Sequence, residues 1–338
     1  MIFRTKSFAR AGLVGNPSDG YFGKTISFIV RNFQAEVTLW ESPRLEILPA
    51  ARDHSIFETI GQLAEDVRSY GYYGGVRLLK ATVKRFYDHC QEHGVALPNR
   101  NFTLQYSSNV PSQVGMAGSS AIITAALRAL MQFYDVSIPK SIQANIILSV
   151  ENEELNIPAG LQDRVIQAFE GVVFMDFAEE HFRQHGHGAY EEIDPGLLPP
   201  LYIAYSTRLS EGTEVFHNDI RSRFNRGDSE VVDAMQEWAG YAQQVRDLLL
   251  AGKSAEIAPI LNANFDLRRR LYRMSEGNIR MVDLARSVGA SAKFTGSGGA
   301  IVGTYDDEAM FSRLVGELEP LGMKVLKPAI LESPTRSE

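Results

Sequence analysis

The sequence predicts an α/β (α+β) protein built as two domains. Three observations predict it. Segments with the two-residue period of a strand are interspersed with segments whose apolar residues recur every three or four positions. The chain has 338 residues, enough for two domains of roughly 100–200 residues each. A stretch rich in His and Gly, 179–199, separates two halves that each begin on a strand. We place the boundary so that residues 1–195 form an N-terminal domain and 196–338 a C-terminal one.

Residues 1–40 read as strands and tight turns, and Ala35 to Trp40 alternates apolar with polar. Residues 56–93 read as mostly helical. There Gly74-Gly75 opens a helix with Val76, Leu79, Val83 and Phe86 on one side. Phe102, Leu104 and Tyr106 share one face of a strand. A Gly/Ser-rich turn leads into an apolar helix from about Ser120 to Tyr134, and a second helix covers about Ser141 to Leu155. Pro158 and Gly160 break it, and the next helix starts near Asp163. Val172 to Phe177 is a strand, and 179–199 is expected to be a loop. The second half opens on a buried strand, Leu201 to Tyr205. Helices follow near 213–226, 228–251, 254–275 and 277–288. It closes with the turn Thr295-Gly-Ser-Gly-Gly299 and a βαβ unit ending near Lys327. The polar tail from Ser333 to Glu338 is expected to be disordered.

Charge narrows the function. There are 34 Lys+Arg and 41 Asp+Glu, a net charge of −7, without a basic block. Bulk electrostatics therefore disfavour nucleic acid and anionic membranes as partners. No apolar run reaches the roughly 18 residues of a membrane span, and the first ten residues lack the apolar stretch of a secretory signal. Cys90 is the only cysteine, which excludes an intrachain disulfide and a Cys-based zinc cluster. The expected compartment is the cytoplasm, and the expected state a monomer or small homo-oligomer.

Four short segments carry chemistry. Pro111-Ser-Gln-Val-Gly-Met-Ala-Gly-Ser-Ser-Ala121 joins a strand to a helix. Its glycines let backbone approach a ligand, and the helix start offers free N–H groups to phosphate. Ser119 and Ser120 are able to donate to phosphate oxygens or coordinate Mg²⁺. The other reading is a serine cap on a buried helix. Lys293-Phe-Thr-Gly-Ser-Gly-Gly-Ala300 is a second close-approach loop, or else a tight structural turn. Ala9-Arg-Ala-Gly-Leu-Val-Gly-Asn-Pro-Ser-Asp19 ends in a turn whose Asn16, Ser18 and Asp19 suit sugar hydroxyls or ordinary turn bonding. Glu151 precedes Pro158-Ala-Gly-Leu-Gln-Asp-Arg164, in which Asp163 is either a helix cap or an acceptor for a hydroxyl proton. With phosphate loops in the chain, Glu151 is a candidate Mg²⁺ ligand. His181, His185 and His187 read as a solvated loop, and His89, Cys90 and His93 do not make a convincing zinc site.

In this order the four segments resemble the GHMP kinase superfamily of small-molecule kinases. Arg10, Leu13, Val14, Gly15 and Asp19 keep the register of its first motif, although Asn16-Pro17 stands where galactokinases carry Glu-His. Pro111 to Ala121 matches the second motif with one extra residue, and Lys293 to Gly299 the third with one glycine fewer. A narrower resemblance, to glucuronokinases, runs through 15–27, 71–79, 159–165, 198–200, 264–270 and 292–300.

The resemblance implies a two-domain fold, with a ribosomal-S5-domain-2-like N-terminal domain and a ferredoxin-like C-terminal domain. It implies transfer of the γ-phosphate of ATP, with Mg²⁺, to the anomeric hydroxyl of D-glucuronate, towards UDP-glucuronate. Pro111, Gly115, Gly118, Ser119, Ser120 and Ala121, with Gly296, Ser297 and Gly298, would hold the nucleotide phosphates. Ser120 and Glu151 would hold Mg²⁺. Asp163 and Arg10 would be catalytic, and Asn16, Ser18, Asp19, Tyr73 and Arg164 would contact the sugar. A uronate carboxylate needs a cation, and Arg164, Lys24, Arg268, Arg269 and Arg270 remain open for that role. Open alternatives are a related sugar 1-kinase acting on galacturonate, galactose, arabinose or fucose, a catalytically inactive sugar or nucleotide sensor, and a decarboxylase of the superfamily.

Overall fold

The computed structural model describes residues 1–50, 53, 58–63, 74–207 and 214–331, without the side chains of 214–219. Tyr72, Tyr73 and the tail from Ser333 to Glu338 lie outside the described residues. The chain forms two compact units. The first comprises Met1–Ser7, Gln34–Asn109 and Ser119–Ala159, and the second Phe8–Phe33, Val110–Gly118 and Gly160–Glu338. Residue 195, the boundary expected from sequence, falls inside the second unit, so compactness divides the chain differently.

Two long strands, β1 (Ile2–Val14) and β2 (Lys24–Glu41), pair with each other and contribute residues to each unit. In the first unit the second half of β2 runs antiparallel to β4 (Phe102–Ser108), with Val37 opposite Tyr106 and Leu39 opposite Leu104. A short β3 (Glu46–Leu48) adds to β4 in parallel. Helix α1 (Gly75–Glu92) buries Leu79 and Phe86 of the expected stripe, together with Leu78, while Val76 and Val83 are half-buried. Helix α2 (Gly118–Tyr134) has almost no polar face. Ala121, Ile123, Ala126, Leu127 and Leu130 are all buried, as an apolar helix inside a core must be. Helix α3 (Lys140–Ser149) ends earlier than its apolar pattern suggests and passes into a π-helical turn, Val150–Glu154.

In the second unit the first half of β2 pairs with β5 (Val172–Asp176), and β5 pairs with β6 (Ala189–Ile193), both antiparallel. The stretch expected to be a loop therefore contains β6, and before it a short helix, α5 (Glu179–His185). A separate antiparallel sheet has the order β10-β7-β9-β8, from β7 (Leu201–Tyr205), β8 (Lys293–Phe294), β9 (Ala300–Thr304) and β10 (Lys324–Leu326). Strands β9 and β10 flank β7, and helix α10 (Glu308–Leu318) joins them. The βαβ unit read from the sequence is thus a split one.

The remaining helices of this unit are α4 (Gln162–Phe169), α6 (Glu214–Asn225), α7 (Ser229–Leu250), α8 (Ala258–Leu271) and α9 (Glu276–Ser287). Asp228, Ser275 and Asp307 cap α7, α9 and α10 through their side-chain oxygens, which explains where those helices start. The core under the nearby loops is apolar: Leu13, Val114 and Met116 pack with Ile203, Ala242, Leu261 and Val302.

Candidate active site

Arg10 lies near the end of β1, and its buried guanidinium ties together three segments of the second unit. Its Nε donates to Asp163 Oδ1 at 2.6 Å, and its Nη1 donates to the carbonyls of Gly115 and of Thr295, the latter at 3.0 Å. Backbone bonds reinforce the junction. The Arg10 N–H donates to Met116 O at 3.2 Å and the Gly12 N–H to Thr295 O at 2.9 Å. Three of the four segments singled out in the sequence meet here, together with the Asp163 end of the fourth.

The two glycine-rich loops touch backbone to backbone. A Cβ on Gly296 would lie 2.6 Å from Gly115 O, and one on Gly115, at φ +65°, would lie 3.0 Å from Gly298 O and Ser297 N. Arg268 fixes the second loop by donating to Gly296 O at 2.8 Å and Ser297 O at 3.4 Å. Lys293 anchors its start. Its buried Nζ donates to Gly12 O and Asn16 Oδ1 at 2.7 Å each and to Phe294 O at 2.8 Å. Burial, then the charges of Arg268 and Arg10, hold the Lys293 amine well below its ordinary range.

Asp163 does not cap α4. The helix starts one residue earlier and has no side-chain cap. The carboxylate faces cations instead, with Arg10 on Oδ1 and Arg164 Nη1 at 3.2 Å from Oδ2. Burial pushes its acidity towards the neutral form, but Arg10 and Arg164 outweigh that, and the carboxyl sits below its ordinary range. Arg164 is also buried and donates to Gly160 O at 2.9 Å.

Asp19 has the opposite electrostatics. Burial and the nearby Asp163 charge raise its carboxyl to about 6, against smaller opposing effects of the Gln162 backbone N–H, Arg10 and Arg164. Its turn is held from within: Ser18 Oγ donates to Lys24 O at 3.0 Å and accepts from the Lys24 N–H at 3.2 Å. Asn16 Oδ1 is occupied by Lys293. The side-chain oxygens of Asn16 and Ser18, two of the proposed hydroxyl-binding trio, are thus already bonded within the protein.

Sequence reasoning gave no role to Gln162 or Lys293. Gln162 is buried, and its Oε1 has no hydrogen-bond partner among the described residues, so it offers an acceptor beside the two carboxylates. Its place between Leu161 and Asp163 was the only available signal.

Ser119, Ser120, Ala121 and Glu151 belong to the first unit. The helix begins at Gly118, so both serines fall in its first turn and neither is its cap. Ser120 and Glu151 are buried, and Glu151 sits on the π-helical turn. No group of three or more His, Cys, Asp or Glu among the described residues is arranged to hold a metal. His181 and His185 lie on α5 with rings 4.3 Å apart. No helix among the described residues is long and apolar enough to cross a membrane.

A mixed α/β chain whose glycine-rich loops converge on an Arg–Asp pair has the architecture of a small-molecule kinase, and comparison with known proteins bears this out. The family description "GHMP kinases N terminal domain" matches residues 77–171. Lactococcus lactis galactokinase shares the fold at a TM-score of 0.77 and 13% identity, over 97% of this chain and 93% of that one. Methanococcus jannaschii mevalonate kinase does so at 0.68 and 18%, over 98% of each. In sequence, glucuronokinase 1 of Arabidopsis thaliana is 45% identical over 303 residues, 88% of this chain and 83% of the relative. Probable glucuronokinase 2 of the same plant is 45% identical over 308 residues, 89% and 84%. The chain belongs to the glucuronokinase family of the GHMP kinases.

Proposed function

We propose that this chain transfers the γ-phosphate of ATP to the anomeric hydroxyl of D-glucuronate, giving glucuronate 1-phosphate and ADP. The observation that carries the proposal is the convergence of Asp163, Arg10 and the two glycine loops, in a chain 45% identical to plant glucuronokinases.

In this reading Pro111, Gly115, Gly118, Ser119, Ser120 and Ala121, with Gly296, Ser297 and Gly298, receive the nucleotide phosphates. Ser120 and Glu151 hold Mg²⁺, which when bound neutralises phosphate charge. Asp19 binds sugar hydroxyls, with Asn16, Ser18, Tyr73 and Arg164 around them. Asp163 accepts a hydrogen bond from the anomeric hydroxyl. The hydroxyl oxygen attacks the γ-phosphorus and passes its proton to Asp163 as the new bond forms, the bond to the β-phosphate oxygen breaks, and ADP leaves. Since Asp163 is a carboxylate of depressed pKa, it is a weak base at neutral pH. Its main work is to orient the nucleophile, and Arg10 balances the charge that builds on the phosphoryl group. The fold division at residue 195 and a cytoplasmic monomer or small oligomer belong to the same proposal.

The test is ATP consumption with a panel of free sugars and uronates, with phosphorus NMR of the product. An anomeric phosphate formed selectively from glucuronate supports the reading. Preference for a neutral sugar removes the substrate assignment, and turnover of none removes the activity.

A further inference from the structure

The turn that carries Asp19 is bordered by a cation that the sequence did not single out. Arg221, on α6, donates from Nη1 to Gly20 O at 2.6 Å. Its guanidinium carbon lies 4.2 Å from the centre of the Tyr21 ring, and Tyr21 in turn packs edge-on against Phe224 at 4.8 Å. Gly20 leaves room for it, since a Cβ there would lie 3.0 Å from Arg221 Nη2. A guanidinium has five N–H donors, and Gly20 takes one of Arg221's. The side chain is exposed and makes no ion pair among the described residues.

The other candidates are engaged. Lys24 pairs with Asp176 at 2.9 Å, Arg269 with Asp283 at 3.5 Å and Arg270 with Glu237 at 3.7 Å. Arg164 faces Asp163 and Gly160 O, and the two terminal nitrogens of Arg268 donate to the glycine loop. Meanwhile the carboxylates of Asp19 on the turn and of Asp163 on α4 already repel one another. A uronate adds a third negative charge, which like-charge repulsion opposes unless a cation meets it. A planar fork stacked on an aromatic ring and tethered at one nitrogen is pre-organised to do so.

We propose that Arg221 is the specificity residue that receives the carboxylate of the uronate substrate, through the donors that Gly20 leaves open. This rests on the reading of the chain as a uronate kinase.

The experiment compares D-glucuronate with D-glucuronamide, its uncharged near-isostere, at saturating Mg-ATP, for the wild type, Arg221→Gln and Arg221→Lys. The wild type is expected to favour glucuronate. Arg221→Gln is expected to raise the glucuronate KM roughly 10- to 100-fold, the range for a lost charge-assisted bond. Its preference for glucuronate over glucuronamide then collapses towards one, while Arg221→Lys retains part of it. A role confined to bracing the turn would lower both substrates by the same factor, and that result overturns the proposal while leaving the kinase reading intact. A wild type that does not phosphorylate glucuronate removes both together.

Discussion

Asp19 occupies the space that a side chain on Gly160 would need: a Cβ there would lie 2.3 Å from Asp19 Oδ2. The two residues are far apart in sequence, and each fixes what the other is allowed to be. Gly160→Ala is expected to push the Asp19 carboxyl aside and raise the sugar KM by about tenfold to a hundredfold, as misplacement of a positioning group by about 1 Å does. The KM for ATP should stay within about twofold of wild type on the same reasoning. Steady-state kinetics with each substrate varied in turn would separate the two effects.

Asp163→Asn is expected to lower kcat by about 10²- to 10⁴-fold, the range for a group that handles the reacting proton. Because Arg10 and Arg164 keep Asp163 ionised, this residue contributes no limb to the pH–rate profile near neutrality. A wild-type limb near pH 6 belongs instead to Asp19. An Asp19→Asn profile that keeps the limb would refute that assignment.

Asp19 also ties stability to pH, and the direction is fixed by its shift. Its carboxyl is raised from 3.8 to about 6 in the folded chain, so the folded state holds a proton that the unfolded state has released. Stability from this group is therefore present at low pH and falls as pH rises from about 4 to about 6. The cost above that window is on the order of 2 to 3 kcal/mol at 1.36 kcal/mol per unit. Asp19→Asn should melt higher than wild type at pH 7.5, with the advantage shrinking towards pH 4. Thermal melts across pH would show it, and an equal difference at both ends would contradict it.

Glu151→Gln is expected to raise the Mg²⁺ concentration for half-maximal rate by roughly 10- to 100-fold, as loss of groups supporting a metal does. Chelation of Mg²⁺ should abolish turnover of the wild type. Titration of the rate with Mg²⁺ at fixed total ATP checks both, and a Glu151→Gln curve that overlays the wild type would remove the residue from the metal site.

Much of this architecture is visible in residue order, because long elements announce themselves by period. The buried helix behind the Gly/Ser loop and the strand at Leu201 fall within a few residues of their expected places. Helix α5 and strand β6 were invisible because neither carries an apolar face: α5 buries no residue and β6 buries only Ile193, whereas the equally short strand at Leu201 is buried throughout. At the site, Asp163 was legible as a functional carboxylate but equally as a cap. The fold removes the cap and supplies a partner that sequence spacing could not show, since Arg10 lies 153 residues away. Lys293 was legible only as the start of a glycine-rich loop, and in the fold three backbone and amide acceptors hold its amine in the interior. Ser18 reads either as a ligand group or as a turn residue, and in the fold its hydroxyl bonds within its own turn. Arg221 carries no pattern at all, because one cation on an amphipathic helix resembles any other until the turn it serves is folded beneath it.

The bonds at the loop junction also bear on how the chain acquires its activity. Thr295 Oγ1 reaches Gly115 O across 180 positions, and Arg10 reaches Thr295 O across 285. Closing such spans carries its entropy cost before any contact rewards it, and contacts of this range slow folding. A chain emerging from the ribosome holds Arg10 and Asp163 for more than a hundred residues of synthesis before Thr295 exists to meet them. Until then the first loop has no counterpart to rest against, so the junction around Arg10 is assembled only once Thr295 has been made.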